Sequence, residues 1–211
     1  MLDVLTVAVL ALVALRVGGV ARRVLTSSDI QRRWLEIVRG IRLQHILPVP
    51  LVLAVVLSVA SALLLVPGLD WGWWSALGGI GNPVTGTTDR TTGTPLEWII
   101  PLMFVVLLLP GLPLFAEAEE RAFRLGAEHW SFGKRVGRGV VFGSVHALIG
   151  IPIGVALALS VGGWYFTFAY LRGVKRGGTM GGLLESTRAH TAYNTFIVLI
   201  LLLALALDGL A

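Results

Sequence analysis

Apolar residues in this chain come in long runs, with polar residues gathered between them. The strongest runs cover residues 2–15, 46–66, 98–116 and 191–207. A helix apolar all round over that length suits lipid better than a soluble core, which needs only one apolar stripe. The pattern predicts six apolar segments: about 2–19, 46–66, 95–116, 137–150, 153–171 and 188–208. Pro48 and Pro50 fit the first turn of the second segment, and Pro67-Gly68 stops it. Pro110 and Pro113 interrupt the third, so a kink or a broken helix is expected just before FAEAEERAFR. Pro152 stands at the entrance of the fifth, and the glycine-rich turn 173–182 separates the last two.

Two connections break this rhythm. Over 27–45, Ile30, Trp34, Ile37 and Ile41 fall at spacings of 4, 3 and 4 among Arg32, Arg33, Glu36 and Arg39. This is a basic amphipathic helix, which either lies in the membrane interface or packs on the bundle as a connector. Residues 70–95 are not basic: Trp71, Trp73 and Trp74 suit the headgroup belt, and the Gly/Thr-rich remainder reads as a flexible exposed excursion. The expected fold is therefore all-α, a polytopic transmembrane helix bundle of about six membrane segments plus one interfacial amphipathic helix. It divides into N-terminal helices with their basic connector (1–70), an exposed loop (71–94) and a helical core (95–211).

Composition agrees. Of 211 residues, 55% are hydrophobic and 14% charged, and mean hydropathy is +0.82, too few charges for a soluble surface. The formal net charge of +5 does not point to nucleic acid, because the basic residues lie between apolar runs where anionic headgroups meet them. With six segments, the odd-numbered connections hold seven, five and four basic residues, sixteen of the seventeen, and leave Arg90 alone opposite. That asymmetry puts the odd connections in the cytoplasm and both termini outside, Asp3 and Asp208 included. The N-terminus lacks a basic region before its apolar run and reads as a retained helix. The absence of cysteine removes a disulfide framework, a thiol nucleophile and a Cys-based zinc site.

Ionisable residues within or beside such segments are costly unless paired or wet, which makes them functional candidates. Glu119, Glu120 and Arg124 end the third segment; Glu120 and Arg124, at i and i+4, can pair, while Glu119 is turned about 100° away. His146 sits in the fourth segment one turn after Phe142, roughly 12 Å beyond the expected helix start. His190 and Asn194, again i and i+4, open the sixth. Under the six-segment topology these groups share a depth and can line a cavity sunk below the cytoplasmic surface. A carboxylate and an imidazole there can deprotonate water, and a second imidazole with a carboxamide can donate to the oxyanion of a tetrahedral intermediate. Arg124 would orient Glu120 and keep it ionised. Glu119, His146 and His190 could alternatively hold a divalent metal such as zinc, although no HExxH signature is present. Glu117 reads as solvated or supportive, and His45 and His129 as interfacial residues without a role.

The three motifs EExxxR (Glu119, Glu120, Arg124), FxxxH (Phe142, His146) and HxxxN (His190, Asn194), in that order, resemble those of the CAAX-protease and bacteriocin-processing family of intramembrane proteases. The resemblance covers about 95–209. It implies that Glu119 and His146 activate water, that His190 and Asn194 stabilise the oxyanion, and that Glu120 and Arg124 support the site, with no cofactor. It further implies a membrane-associated, lipid-modified or membrane-embedded peptide or protein as substrate, and a prokaryotic plasma membrane as location. The chain departs from the family pattern in the Ala-Leu-Ile-Gly that follows His146, in the basic, glycine-rich YLRGVKRGGTMGG before the third motif, and in Glu117 as an extra carboxylate. Two other readings stand beside the peptidase: a non-catalytic immunity or partner-binding membrane protein of the same fold, and a small transporter. The transporter needs polar residues continuing outward, where the chain offers little beyond Ser160, Tyr165 and Thr167.

Overall fold

The computed structural model describes residues 2–79, 81–82, 87–88 and 91–208. Arg90, the middle of the Gly/Thr-rich loop and the side chains of Asp3 and Asp208 lie outside the described residues. The fold is all-α apart from a two-residue ladder, β1 (Gly81–Asn82) with β2 (Thr87–Thr88), in the loop. In chain order the helices are α1 (Leu2–Thr26), α2 (Ser28–Arg39), α3 (Leu43–Ile46), α4 (Val49–Leu64), α5 (Trp73–Ala76), α6 (Leu96–Arg124), α7 (Phe132–Val145), α8 (Ile153–Ala158) and α9 (Ser160–Asp208).

Three helical stretches among the described residues are long and apolar enough to cross a membrane: Leu43–Leu64, Leu96–His129 and Ile153–Ala204. In the first, only 17% of the most apolar window is buried inside the protein, so most of its side chains need an apolar solvent supplied from outside. The third is a hairpin. Gly178, at φ +61 and ψ −165, reverses the chain beside Gly177, a conformation open to glycine and closed to residues with a Cβ. The limbs then pack so tightly that a Cβ on Gly173 would stand 2.6 Å from the carbonyl oxygen of Gly181. The glycine-rich stretch 173–182 thus supplies both the turn and the close approach.

The expected fourth segment differs from the helix observed. Ser131 caps α7 by accepting from the Lys134 amide at 3.3 Å, so the helix starts five residues earlier than hydropathy alone suggests. It ends at Val145, passing through a 3-10 turn (His146–Ile149) to Gly150 at φ +86. Fourteen residues span about 21 Å, short of a hydrocarbon core of about 30 Å. His146 consequently sits at the C-terminal end of α7, not within it. The third segment departs in the other direction: α6 continues helically through Pro101, Pro110 and Pro113 to Arg124, so EExxxR is the last turn of one 29-residue helix and no break precedes it. Packing against α1 and α9 holds the helix where three amide donors are missing.

At the centre, α6 lies against α1 and both limbs of α9, α7 lies against α9, and α4 covers α8 and α9. A core cluster of Val49, Phe142, Phe166, Ala189, Ala192 and Tyr193 joins α4, α7 and the two limbs of α9. The loop after α4 docks on the turn between α7 and α8: Gly154 donates to the Leu69 carbonyl at 2.7 Å, and Ile153 to that of Trp71 at 3.0 Å. The Trp73 indole reaches the Leu148 carbonyl at 3.1 Å, and Trp74 is buried. Trp73 therefore satisfies a carbonyl of the turn between α7 and α8, while Trp74 packs inside the protein.

The amphipathic connector α2 is docked on the bundle. Ile37 is fully buried, and the Trp34 indole donates to the Pro110 carbonyl at 2.9 Å. Arg33 forks onto Glu117 at 2.6–3.0 Å, which raises the pKa of its guanidinium. Glu117 also accepts from Arg121 at 2.7 Å. Expected as a solvated or supportive carboxylate, Glu117 is buried and bridges two helices.

Candidate functional site

The last turn of α6 carries the acidic motif into the bundle. Glu120 is 0% and Arg124 1% exposed, an arrangement that is stable only if the charges meet partners. They do. Arg124 Nη1 donates to Glu120 Oε1 at 3.0 Å, and Nη2 to the carbonyl of Gly163 on α9 at 3.2 Å. The guanidinium carbon lies 4.1 Å from the centroid of Phe142, a cation–π contact from α7. His190, on the second limb of α9, donates from Nδ1 to the same Glu120 oxygen at 2.9 Å. Its ring stacks on Phe166, centroids 4.2 Å apart and planes 19° off parallel. One carboxylate thus holds an arginine from its own helix and a histidine seventy residues later in the chain.

Glu119 points elsewhere, as the 100° offset requires. Its side chain is 37% exposed and its Oε2 stands 3.8 Å from His190 Nε2, beyond direct hydrogen bonding. His146 donates from Nδ1 to the Phe142 carbonyl at 2.7 Å. A carbonyl can only accept, so in the neutral ring Nε2 is left as the basic nitrogen. The 3-10 turn makes this bond available: the His146 amide goes to Gly143, freeing Phe142 O for the imidazole. Phe142 is the hub. Its ring lies 4.9 Å from that of His146, 5.7 Å from His190 and 6.0 Å from Phe166. Asn194 lies half-buried one turn beyond His190, and its carboxamide has no hydrogen-bonded partner among the described residues. Of the six candidates, then, Arg124, His146 and His190 lie against Phe142, Glu120 joins Arg124 to His190, Glu119 stands 3.8 Å from His190, and Asn194 follows His190 on the same helix.

No group of three or more His, Cys, Asp or Glu side chains arranged to hold a metal ion occurs among the described residues. Glu119, His146 and His190 are accordingly not such a group, although each imidazole has its Nδ1 engaged, His190 by Glu120 and His146 by a backbone carbonyl, which leaves the two Nε2 atoms outward. Glu119 Oε2, Glu120 Oε2 and Tyr193 Oη are buried without a hydrogen-bonded partner among the described residues.

Several parts of the site were not picked out from sequence. Gly139 and Gly143 on α7 form a small-xxx-small stripe against Ser160 and Gly163. A Cβ on Gly143 would lie 2.6 Å from the Ala156 carbonyl, and one on Gly163 would lie 2.9 Å from the Phe142 ring. That spacing is visible in the chain and could have been used to pair the two helices. Phe166 carries no such signal. His45, expected to be interfacial and idle, is buried; it accepts the Arg42 amide at Nδ1 (2.9 Å) and faces Glu185 Oε2 from Nε2 (3.2 Å). Glu185 also accepts from Gln44 at 3.1 Å, so this pair fastens α3 to α9 beside the site. His129 is exposed.

Comparison with family models, with curated proteins and with solved structures returned no match.

Proposed function

We propose that the chain is an intramembrane endopeptidase of the type its three motifs resemble, the CAAX-protease and bacteriocin-processing family. It would cleave a membrane-associated peptide or protein with water activated by Glu119 and His146. The observation that carries the reading is the buried Glu120–Arg124–His190 network, which fixes the imidazole and leaves the neighbouring Glu119 partly exposed, 3.8 Å from His190 Nε2 and without a direct hydrogen bond among the described residues. A purely structural ion pair needs no second carboxylate beside it.

In this mechanism water binds between Glu119 and His146 Nε2. Its oxygen attacks the scissile carbonyl carbon while its proton passes to the Glu119–His146 pair. The oxyanion accepts from the Asn194 carboxamide and, with His190 in its imidazolium form against the Glu120 carboxylate, from His190 through Nε2–H. The stored proton then goes to the departing amine as the C–N bond breaks. Glu120 and Arg124 touch no reacting atom; they position His190. The chain would cross the plasma membrane of a prokaryote about six times, with the site open to the cytoplasm and both termini outside. In that arrangement the short α7 is the fourth crossing and the two limbs of α9 are the last two. Because the chain has no cysteine, single cysteines at Gly133 and Asp70 test the orientation: an impermeant maleimide applied outside should label only the second.

The catalytic test compares membranes from cells expressing wild type, Glu119→Gln or His146→Ala at matched abundance, read as new peptide N-termini by mass spectrometry. Cleavage products confined to wild type are expected. Identical sets in all three would favour the second reading, a non-catalytic immunity or partner-binding protein. What speaks for that alternative is that Glu120, Arg124 and His190 largely satisfy one another, as a structural polar knot does.

A further inference from the structure

We infer that the outer face formed by α7 and the first limb of α9 carries a binding site for one anionic phospholipid of the leaflet next to the α6–α7 turn. The inference is independent of the peptidase reading and concerns a different face of the bundle.

Two adjoining hollows, of about 450 and 530 Å³, share Arg135, Phe168 and Leu171. The first is apolar, running between Val136 and Trp164 with Phe132 at its rim. Phe132 is 80% and Phe168 64% exposed, so this wall has no protein cover. Trp164 is held by its indole, which donates to the Val136 carbonyl at 3.1 Å, giving the groove a rigid side. The second hollow lies toward the Gly177–Gly178 turn and adds charged side chains to an apolar floor of Phe168, Leu171 and Val174. Arg135, Arg172 and Lys175 face it, together with Glu128.

The charges in that second hollow do not cancel. Glu128 is already engaged: Tyr170 donates to Oε2 at 2.7 Å and Thr179 to Oε1 at 2.5 Å. Arg135 gives Nε and Nη2 to the carbonyls of Ala127 and Glu128 at 2.9 and 3.1 Å, which fixes the guanidinium without neutralising it. Among the described residues, the hydrogen bond of Arg172 goes to the Gln44 side-chain oxygen, at 3.5 Å, which leaves its charge unpaired. Lys175 has no hydrogen-bonded or ionic partner among the described residues. Three cations thus stand at one end of an open apolar groove, with a single, hydrogen-bonded carboxylate among them. The complement is an amphiphile: acyl chains for the Trp164–Phe168 wall and a phosphate with net negative charge for the cations. A free phosphate leaves the wall bare, and a zwitterionic headgroup brings its own cation into a basic hollow.

The test uses the purified full chain in a non-ionic detergent. Phosphatidylglycerol and phosphatidylcholine of identical acyl chains are titrated, with inorganic phosphate as a third ligand, and binding is followed by native mass spectrometry and by the thermal transition. Phosphatidylglycerol alone is expected to bind and to raise the transition, with affinity falling as salt rises. The variant Arg172→Gln/Lys175→Gln alters two exposed side chains and should weaken phosphatidylglycerol about tenfold while leaving the ligand-free transition in place. Phe168→Ser should weaken it through the apolar half. Equal binding of the two lipids, an unchanged response in the double variant, or an equal effect from inorganic phosphate overturns the inference.

Discussion

Replacing Arg124 by Leu isolates the energetics of the site from its chemistry. The guanidinium is 1% exposed and the carboxylate it pairs with is 0% exposed. The substitution removes a 3.0 Å ion pair, a 3.2 Å bond to the Gly163 carbonyl and a 4.1 Å cation–π contact with Phe142. What remains is a buried carboxylate that, among the described residues, keeps one hydrogen-bonded neighbour, His190, and has no partner for Oε2. Stranding one charge of a buried pair costs about 3–5 kcal/mol, and the lost aromatic contact adds to that. For a chain of this size, at about 2–4 °C per kcal/mol, the thermal transition should fall by roughly 6–20 °C. The informative comparison is a double-mutant cycle. Glu120→Gln should also destabilise by stranding Arg124, yet Glu120→Gln/Arg124→Leu removes both charges and should recover at least about 2 kcal/mol relative to the sum of the single effects. Thermal unfolding in detergent, followed by circular dichroism, reads all four corners. Additive single effects, or a loss under about 1 kcal/mol for Arg124→Leu, would refute the argument, because either result requires water or another cation to reach Glu120.

Other consequences follow from neighbouring contacts. Gly143→Val forces a side chain where even a Cβ would lie 2.5 Å from Ser160 Oγ; it should cost about 1–3 kcal/mol or more in the same assay and displace Phe142, so a wild-type transition would argue against close packing of α7 on α9. Tyr193→Phe removes a buried hydroxyl without a partner, so stability should hold or rise by about 1 kcal/mol; a clear drop would reveal an undetected bond, whereas lost proteolysis at unchanged stability would place the hydroxyl on substrate. Arg33→Ala releases α2 from Glu117, which keeps Arg121; because Arg33 is partly exposed the loss should be about 1 kcal/mol or less, visible as faster proteolytic cutting within 27–42, and equal cutting rates would count against docking of α2 through this pair. If Glu120 and Arg124 act only by positioning His190, Glu120→Asp with full stability should lower kcat and leave KM unchanged; a change confined to KM would indicate that they bind substrate.

The sequence by itself determined the helical, apolar character of the chain, because run length and proline–glycine punctuation are local properties. It also determined that Glu120 and Arg124 share one face and that Glu119 is turned from it, since a single helix fixes those angles. The reversal at 173–182 was legible for the same reason. Tertiary structure decided the rest. That Glu120 serves Arg124 and His190 at once, that Phe166 stacks on His190, and that His45 is buried against Glu185 all depend on helices distant in sequence meeting at a particular depth. Hydropathy placed His146 inside a span, whereas an N-cap at Ser131 and a 3-10 turn ending at Gly150 place it at a helix end. A hydropathy window averages over the residues that carry those capping bonds. That Glu117 and Trp74 are buried was not legible, because burial is a property of what packs above a residue, and neither α2 nor the turn before α8 announces its partner in its own sequence.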